Sequence, residues 1–394
     1  MEFILNAGLH IGVFMFLLLL AKQNKSQGDF LLLGWILVVL GQIAFYQISI
    51  YQFEIRGLWA ILTFGLPMLG APLLFLYILA LTGNRASGRT LGLHLEVYML
   101  YVTLFFTFQQ REHIDLTAAN GYLKFSENPP LWIHYYAIPL AISSLVLRVW
   151  DLLLLRRHRR TIVALFSFDE NINLNWVNYI VYAYLVLFVL ASFLIFGATQ
   201  FQLFPIENAF ALVGILLSFM LITFGFYGFG QTAIFSNIDI ETNPVLNKKI
   251  SASENLSYAK SGLSTEKIKT LAYDLTELME IEKPFLEEDL NVALLAEQSN
   301  ISQSHISQII NQHFQMNFYD FVNRYRVEEA KKKLSSTDFD LLSILGIAYE
   351  CGFKSKSSFN RYFNKYTGSS PSEFKKIDNR FQPVGWVVRI IHSI

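Results

Sequence analysis

The chain has 394 residues, of which 53% are hydrophobic, 15% aromatic and only 16% charged. This apolar content is too high for an ordinary soluble protein and too uneven for a single core. Lys plus Arg and Asp plus Glu each total 31, so the overall charge indicates no class of partner. The single cysteine, Cys351, excludes an internal disulfide and a cysteine-rich zinc site.

The first 230 residues contain seven apolar stretches, each close to the length that a helix needs to cross a hydrocarbon layer about 30 Å thick. They run approximately over residues 3–21, 30–50, 58–81, 91–108, 131–155, 176–199 and 209–230. The first stretch lacks the basic start of a cleavable secretory signal and continues to Ala21, so it is interpreted as a span. The sequence therefore predicts a seven-helix transmembrane region over residues 1–231.

The orientation of these spans is predicted from the basic residues in the short loops, because Lys and Arg accumulate on the cytoplasmic side. The odd-numbered loops carry eight such residues and the even-numbered loops carry three. The odd-loop residues are Lys22, Lys25, Arg85, Arg89, Arg156, Arg157, Arg159 and Arg160; the even-loop residues are Arg56, Arg111 and Lys124. This distribution predicts an N-terminus outside and, after seven spans, a cytoplasmic C-terminus.

A few polar residues lie inside the predicted spans. Arg148 and Asp151 are one helical turn apart, and we expect them to pair at the inner edge of the fifth span, with the arginine stem reaching toward the headgroups. Asn6, His10 and Gln42 lie deeper, where they either bond between helices or line a ligand cavity. The sequence leaves both interpretations open for these three residues.

Residues 232–283 are predicted to be a cytoplasmic linker, polar at first and then helical. A helix is expected from Ser264, a suitable N-cap residue, to about Glu282. Its apolar residues at spacings of three and four are Ile268, Leu271, Leu275 and Leu278. Two heptads are too short for a coiled coil alone, so we expect packing against the following domain. A dimer-forming segment remains an alternative.

Residues 290–312 predict two short helices that cross at a tight turn near Asn300, with Ser302 capping the second helix. The apolar face of this second helix consists of Ile306, Ile309 and Ile310. Its opposite face carries hydrogen-bonding side chains that suit base edges and phosphates. These side chains are Gln303, Ser304, Ser307, Gln308 and Asn311.

The same pattern returns in residues 343–368, where Ala348 with Gly352 repeats Ala296 with Asn300. The apolar face becomes Phe359, Tyr362 and Phe363, and the polar face becomes Lys356, Ser357, Asn360 and Arg361. Between the two units, residues 318–334 predict a single linker helix. Such a helix would hold the two recognition helices about 34 Å apart, as entry into successive major grooves requires.

Residues 284–376 closely resemble the DNA-binding domain of the AraC/XylS family, in the segments FYDFVNRYRVEEAKKKL, IAYECGF, SFNRYFNKYTG and SPSEFKK. The resemblance implies an all-α domain that binds double-stranded DNA, with RNA polymerase as a candidate partner. It implies that bases or nearby phosphates are contacted by Ser304, Ser307 and Gln308 in the first unit and by Lys356, Ser357, Asn360 and Arg361 in the second. Arg326 of the linker helix is expected to support packing or contact a phosphate.

Two departures from the family pattern stand out: Asn300 replaces the usual glycine, and the first recognition helix has no basic residue at the positions just named. The charge is equally uneven. Residues 284–340 hold five Lys or Arg against nine Asp or Glu, whereas residues 341–376 hold six against two. Because phosphate neutralisation supplies most non-specific affinity, a monomer should bind DNA weakly through its second unit. A homodimer or a tandem site is therefore expected.

The sequence as a whole predicts an all-α protein: a seven-transmembrane bundle, then a cytoplasmic domain with two helix-turn-helix units joined by a linker helix. The expected domains are residues 1–231, 232–283, 284–376 and a tail over 377–394. The expected function is a one-component transcription regulator in the bacterial inner membrane, which couples an unknown signal ligand to promoter DNA and needs no cofactor, metal or catalytic group.

A membrane transporter or enzyme with a DNA-binding appendage is the main alternative. Against it, the sequence contains no HExxH metal site, no P-loop, no glycine-rich dinucleotide turn and no candidate cysteine nucleophile. A soluble regulator with a large helical core is a third interpretation, which the seven apolar stretches and their charge-sorted loops oppose.

Overall fold

The structure, a computed structural model, describes residues 2–50, 54–83, 87–114, 116–119, 122–125, 131–169, 172–230, 263–339 and 341–381. Residue 231, the polar part of the predicted linker over 232–262, and most of the predicted tail, over 382–394, lie outside these residues. The chain divides into two units: unit 1 is Met1–His158 with Leu174–Ser251, and unit 2 is Arg159–Asn173 with Ala252–Ile394. Helices dominate both, which confirms the predicted all-α class.

Unit 1 is built from long apolar helices. They are α1 (Glu2–Ala21), α2 (Gln27–Ile50), α3 (Leu58–Gly65), α4 (Pro67–Leu81), α5 (Gly88–Arg111), most of α6 (Leu131–Leu165), α7 (Asn175–Gln200) and α8 (Ile206–Gly230). The third predicted span is divided at Leu66, because Pro67 has no backbone N–H to continue the hydrogen-bond ladder. The helix that contains the fifth predicted span, α6, continues through its arginine cluster to Leu165.

Five helical segments in the described part of the chain are long and apolar enough to cross a membrane. They are Glu2–Ala21, Gln27–Gln47, Leu58–Leu81, Gly88–Arg111 and Asn175–Ala198, and a shorter apolar helix covers Asn208–Phe224. The side chains at the start of α6 lie outside the described residues. Three of the five segments bury less than a third of their apolar window inside the protein, with values of 28%, 22% and 22%.

Helix α2 is central to the packing of unit 1, where it contacts α1, α4 and α8. Helix α1 approaches its neighbours closely through two glycines spaced four residues apart. A Cβ atom at Gly8 would lie 2.5 Å from Cβ of Ser218, and one at Gly12 would lie 2.5 Å from a methyl group of Leu221. Small residues at this spacing allow the backbones of two helices to approach closely.

The buried ion pair of α6 differs from expectation in its depth. Arg148 and Asp151 do pair, at 2.8 Å, but their side chains are only 1% and 0% exposed. Arg148 also donates a hydrogen bond to the Ala71 carbonyl, and its guanidinium lies 5.1 Å from the centre of the Tyr184 ring. The expectation that Arg148 reaches toward the headgroups is therefore wrong, because carbonyl, carboxylate and aromatic partners hold it inside unit 1.

A small antiparallel sheet, which the sequence did not predict, joins two of the loops of unit 1. Its strands are β1 (Ile55–Arg56), β2 (Leu116–Ala119) and β3 (Tyr122–Phe125), in the order β1-β2-β3. Ile55 pairs with Ala118, so the loop after α2 and the loop after α5 meet at one end of the unit.

Unit 2 contains short helices around a separate core. They are α9 (Thr265–Ile281), the 3-10 turn η1 (Pro284–Leu286), α10 (Val292–Ser299), α11 (Gln303–Gln312), α12 (Phe318–Ser335), the 3-10 turn η2 (Thr337–Phe339), α13 (Ile344–Glu350), α14 (Lys356–Thr367) and α15 (Pro371–Phe381). Helix α15 begins with a reciprocal capping box, in which the Ser370 amide donates to Glu373 and the Glu373 amide donates to Ser370. It extends past the predicted domain end at residue 376.

Helix α9 has the packing role that the sequence predicts. Ser264 caps it by accepting a hydrogen bond from the Lys267 amide, and the helix contacts α10 and α11. Its buried stripe is Ile268, Ala272, Leu275 and Met279, while Leu271 and Leu278 are only partly covered. Leu271 and Leu278 are each one residue before a buried residue of the stripe. One residue turns a helix by 100°, so these two side chains lie at the edge of the buried face.

Candidate nucleic-acid interface

The first helix-turn-helix unit consists of α10 and α11. Asn300 lies between them in the left-handed conformation, with φ 55° and ψ 22°, which asparagine tolerates better than most residues. Ser302 then caps α11 by accepting a hydrogen bond from the His305 amide at 3.3 Å. The expected apolar face is confirmed, since Ile306, Ile309 and Ile310 are at most 1% exposed.

The polar face of α11 is narrower than the sequence predicts. Gln303 and Asn311 are exposed and Ser304 is half-buried. DNA contact requires accessible side chains, and these three are accessible at least in part. Ser307 and Gln308, by contrast, are each only 5% exposed. The expectation that these two side chains face outward is wrong for this structure. Three helices, α9, α10 and α12, contact the ten residues of α11 and leave little of its circumference open.

The second helix-turn-helix unit consists of α13 and α14, and its turn depends on a glycine. Gly352 has φ 83°, and a Cβ atom there would lie 2.5 Å from the Phe285 carbonyl oxygen and 2.8 Å from that of Leu286. Any side chain at this position would therefore collide with the backbone of η1. Ser355 caps α14 by accepting a hydrogen bond from the Ser358 amide at 3.1 Å.

Helix α14 is open where the sequence predicts. Its core face is buried, with Phe359 at 1%, Tyr362 at 5% and Phe363 at 0% exposure. Its four polar positions are all exposed: Lys356, Ser357, Asn360 and Arg361. This arrangement leaves a cationic, hydrogen-bonding surface on α14 that can contact phosphates and base edges.

Arg326 of the linker helix α12 is buried against the backbone of η1 and the residue that follows it. This side chain is 1% exposed, and its guanidinium donates to the carbonyl oxygens of Phe285 and Glu287, both at 2.7 Å. The expected packing role of Arg326 is confirmed, since a buried cation needs several acceptors of this kind.

The structure also contains a contact that the sequence did not predict. Asp169, in the segment between α6 and α7, accepts hydrogen bonds from Arg361 at 3.2 Å and from the Tyr319 hydroxyl at 2.7 Å. Arg361 also donates to the Tyr319 oxygen at 2.6 Å, so the three side chains form a closed triad. Partial burial lowers the pKa of Arg361, but attraction to Tyr319 and Asp169 outweighs this effect and raises it overall. Arg361 therefore remains charged.

Comparison with known proteins assigns the C-terminal part of the chain. A family described as "Helix-turn-helix domain" matches residues 295–377. These residues form a helix-turn-helix domain of the AraC type. The match includes both recognition helices and the linker helix between them.

The similar proteins include transcription regulators. An uncharacterized HTH-type transcriptional regulator of Staphylococcus aureus (strain COL) is 35% identical over 88 residues, which are 22% of this chain and 11% of that protein. The melibiose operon regulatory protein of Escherichia coli (strain K12) is 30% identical over 100 residues, or 24% of this chain and 32% of that protein. The matched region is thus only a minor part of these relatives, and the matches support DNA binding and transcription regulation for this domain.

A solved structure of a protein of unknown function from Listeria innocua is 29% identical to this chain. The match covers 26% of this chain and 93% of that protein, with a TM-score of 0.23.

Unit 1 contains a cavity of about 370 Å³. Most of its lining is apolar, with polar groups contributed by Gln42, Tyr46, Thr63, Ser144, Tyr184 and Ser192. Gln42 thus lines a cavity, which was one of its two predicted roles. Asn6 instead accepts a hydrogen bond from Gln47 of α2, and the exposed His10 ring contacts the Asn6 carbonyl in its own helix.

Proposed function

We propose that the protein is a membrane-anchored, sequence-specific transcription regulator of the bacterial inner membrane, in which a signal at a seven-helix bundle controls promoter binding by a cytoplasmic domain. The observation that carries this proposal is the coexistence of an AraC-type helix-turn-helix domain with several apolar helices whose outer faces this chain leaves uncovered. DNA binding follows from the domain and its exposed cationic helix α14.

Membrane anchoring is supported by the surface of unit 1. Large apolar side chains are exposed along its helices, including Phe14 at 53%, Phe193 at 70% and Phe196 at 54%. Soluble proteins rarely expose apolar patches larger than a few hundred Å², because each buried Å² of apolar surface is worth about 25 cal/mol in water. A hydrocarbon environment removes this cost, and helices satisfy their own backbone hydrogen bonds there.

Two sets of contacts support the proposed topology. Strands β1 and β2 pair the loop after α2 with the loop after α5, so these loops lie on the same side. Both carry few basic residues and are predicted to lie outside. The segment after α6 belongs to unit 2 together with the helix-turn-helix domain, so these two also share a side. That segment follows the Arg156–Arg160 cluster, which the charge distribution places in the cytoplasm.

The cavity of unit 1 supports a sensing role. Its volume of about 370 Å³ falls within the usual range of small-molecule sites, and its apolar lining with a few polar groups suits a small amphipathic molecule. A ligand there can change promoter binding only by binding two states of the protein unequally.

The DNA-binding part of the proposal is tested by mapping chromosomal sites of the full-length protein and then measuring affinity for a recovered site by mobility shift. We expect R361A to weaken binding about tenfold, because it removes an exposed cation from α14. S304A is the comparison in α11, and we expect a loss below about threefold, since a neutral hydroxyl contributes less than a charged donor. The reverse ranking would contradict this assignment of the interface.

A further inference from the structure

Residues 166–169 of the segment between α6 and α7 lie along the helix-turn-helix domain as a short extended strap. Phe166 forms an antiparallel bridge with Asn291, at the start of α10. The Ser167 amide donates to the Leu290 carbonyl at 3.2 Å, and its hydroxyl donates to the same oxygen at 2.6 Å. Ser167 is only 1% exposed, so the strap is packed into the domain at this point.

The receiving surface is a polar notch on the linker helix. Arg326 donates to the Ser167 carbonyl at 3.2 Å and to its hydroxyl oxygen at 3.1 Å, and Asn323 donates to the same carbonyl at 2.9 Å. Arg326 is at the same time fixed by the carbonyls of Phe285 and Glu287. The domain's own backbone therefore orients the guanidinium whose remaining donors bind the strap.

Beyond Ser167, the strap engages two cations of the second helix-turn-helix unit. The Phe168 ring lies 4.1 Å from Nζ of Lys354, just before the cap of α14. Asp169 accepts hydrogen bonds from Arg361, near the middle of α14, and from Tyr319. Burial and the nearby Asp169 raise the pKa of Tyr319, which keeps its hydroxyl protonated as a donor to that carboxylate.

We propose that this notch is a docking site for residues 166–169 and that the docked strap and DNA compete for Arg361. The proposal rests on the function proposed above and adds its regulation. Nη2 of Arg361 makes the contacts to Asp169 and Tyr319, and while it does so this nitrogen cannot donate to a phosphate or a base edge. The carboxylate also adds a negative charge beside the surface that has to approach the DNA backbone.

The strap is covalently continuous with α6 on one side and leads to α7 on the other. A change in these two helices that draws the strap out of the notch frees Arg361 for DNA. Because coupling between two ligands of one site is reciprocal, DNA that engages Arg361 must weaken docking of the strap by the same factor.

The experiment uses the full-length protein in lipid nanodiscs and a DNA duplex recovered by chromosomal mapping. D169N removes the charge of the strap and keeps its shape. E328Q is the matched control, since it removes one charge from an exposed ion pair with Lys331 on the linker helix. We expect D169N to bind the duplex about threefold to fivefold more tightly than wild type, as for the loss of a partly exposed ion pair, and E328Q to change affinity by less than about 1.5-fold.

S167A is a second variant, which weakens docking without touching Arg361. It removes the hydroxyl that bonds Leu290 and Arg326, and we expect it also to tighten DNA binding, by about twofold or more. The hydrogen-exchange rate of the Ser167 amide measures docking of the strap independently of DNA binding. We expect faster exchange in D169N and S167A than in wild type, and faster exchange in wild type when the duplex is added.

If D169N and S167A bind the duplex no more tightly than E328Q, competition is refuted. Unchanged Ser167 exchange in both strap variants would refute the docking site itself. If wild type and all variants fail to bind any mapped duplex, the proposed function is refuted, and the competition is refuted with it. The exchange comparison still decides whether the strap docks.

Discussion

Replacement of Gly352 by alanine tests the turn of the second helix-turn-helix unit. The added Cβ atom would lie 2.5 Å from the Phe285 carbonyl oxygen, the same oxygen that accepts a hydrogen bond from Arg326. The left-handed φ of 83° costs a residue with a side chain about 1 kcal/mol, and overpacking against a fixed backbone costs about 2 kcal/mol. The free energy of unfolding of the domain should therefore fall by about 3 kcal/mol. This corresponds to about a 100-fold rise in the equilibrium constant for opening of the domain.

Cys351 provides the assay for this change, because it is the only thiol of the chain. It is 0% exposed, and burial raises the pKa of its thiol to about 12, so alkylation requires opening of the domain. The labelling rate of full-length G352A should exceed that of wild type about 100-fold, with equal rates in denaturant. G368A is the matched control: Gly368 has φ 74°, but an added Cβ would meet no atom of the described residues within 4 Å, so about fivefold is expected. Equal rates for the two variants would refute the steric argument.

Three further predictions concern the same domain. F363A should lower the free energy of unfolding by about 3 to 5 kcal/mol, because this fully buried ring fills the core under α14. A urea titration monitored by Cys351 labelling measures the change, and a decrease below about 1 kcal/mol would contradict the packing. N300G should change the free energy of unfolding by less than about 0.5 kcal/mol, whereas N300V should lower it by about 1 to 2 kcal/mol, since valine disfavours a φ of 55°. The same titration compares the two variants, and equal stabilities would count against the left-handed turn. R361A should reduce the slope of log binding constant against log salt by about 1, and an unchanged slope would exclude a phosphate contact by Arg361.

The features that the sequence predicted correctly depend on neighbours within one or two helical turns. Ser264 and Ser302 precede apolar periodic segments and cap the helices that follow. Asn300 stands where a tight turn separates two such segments, and it adopts the left-handed conformation. Local spacing and side-chain chemistry suffice for such predictions, because capping and turn formation need no distant partner.

The features that the sequence did not predict depend on packing between distant segments. Ser307 and Gln308 continue the polar face of α11, yet neighbouring helices cover them. Arg148 lies near the end of a predicted span, but its carbonyl partner belongs to Ala71 in another helix. Hydrophobic periodicity indicates which face of a helix is apolar, and it does not indicate how many neighbours the helix has.

The contact between Asp169 and Arg361 is the extreme case, because 192 residues separate its partners. One local signal was available: Phe166 and Phe168 alternate with Ser167 and Asp169 immediately after the basic end of α6, as in a short half-buried strand. The alternation indicates an extended segment, but it would leave Ser167 on the exposed face, whereas Ser167 is only 1% exposed in the structure. Nor does the alternation identify the surface that covers the segment.

The proposed function requires the helix-turn-helix domain to lie in the cytoplasm and the loop between α5 and α6 to lie outside. Reporter fusions in bacterial cells test both locations most directly. Alkaline phosphatase, which is active only after export, and a fluorescent protein that folds only in the cytoplasm are each fused after residue 394 and, in separate chains, after His113 in the loop between α5 and α6. We predict fluorescence without phosphatase activity at residue 394, and phosphatase activity without fluorescence at His113. Phosphatase activity at residue 394 would place the helix-turn-helix domain away from the chromosome and contradict the proposed function.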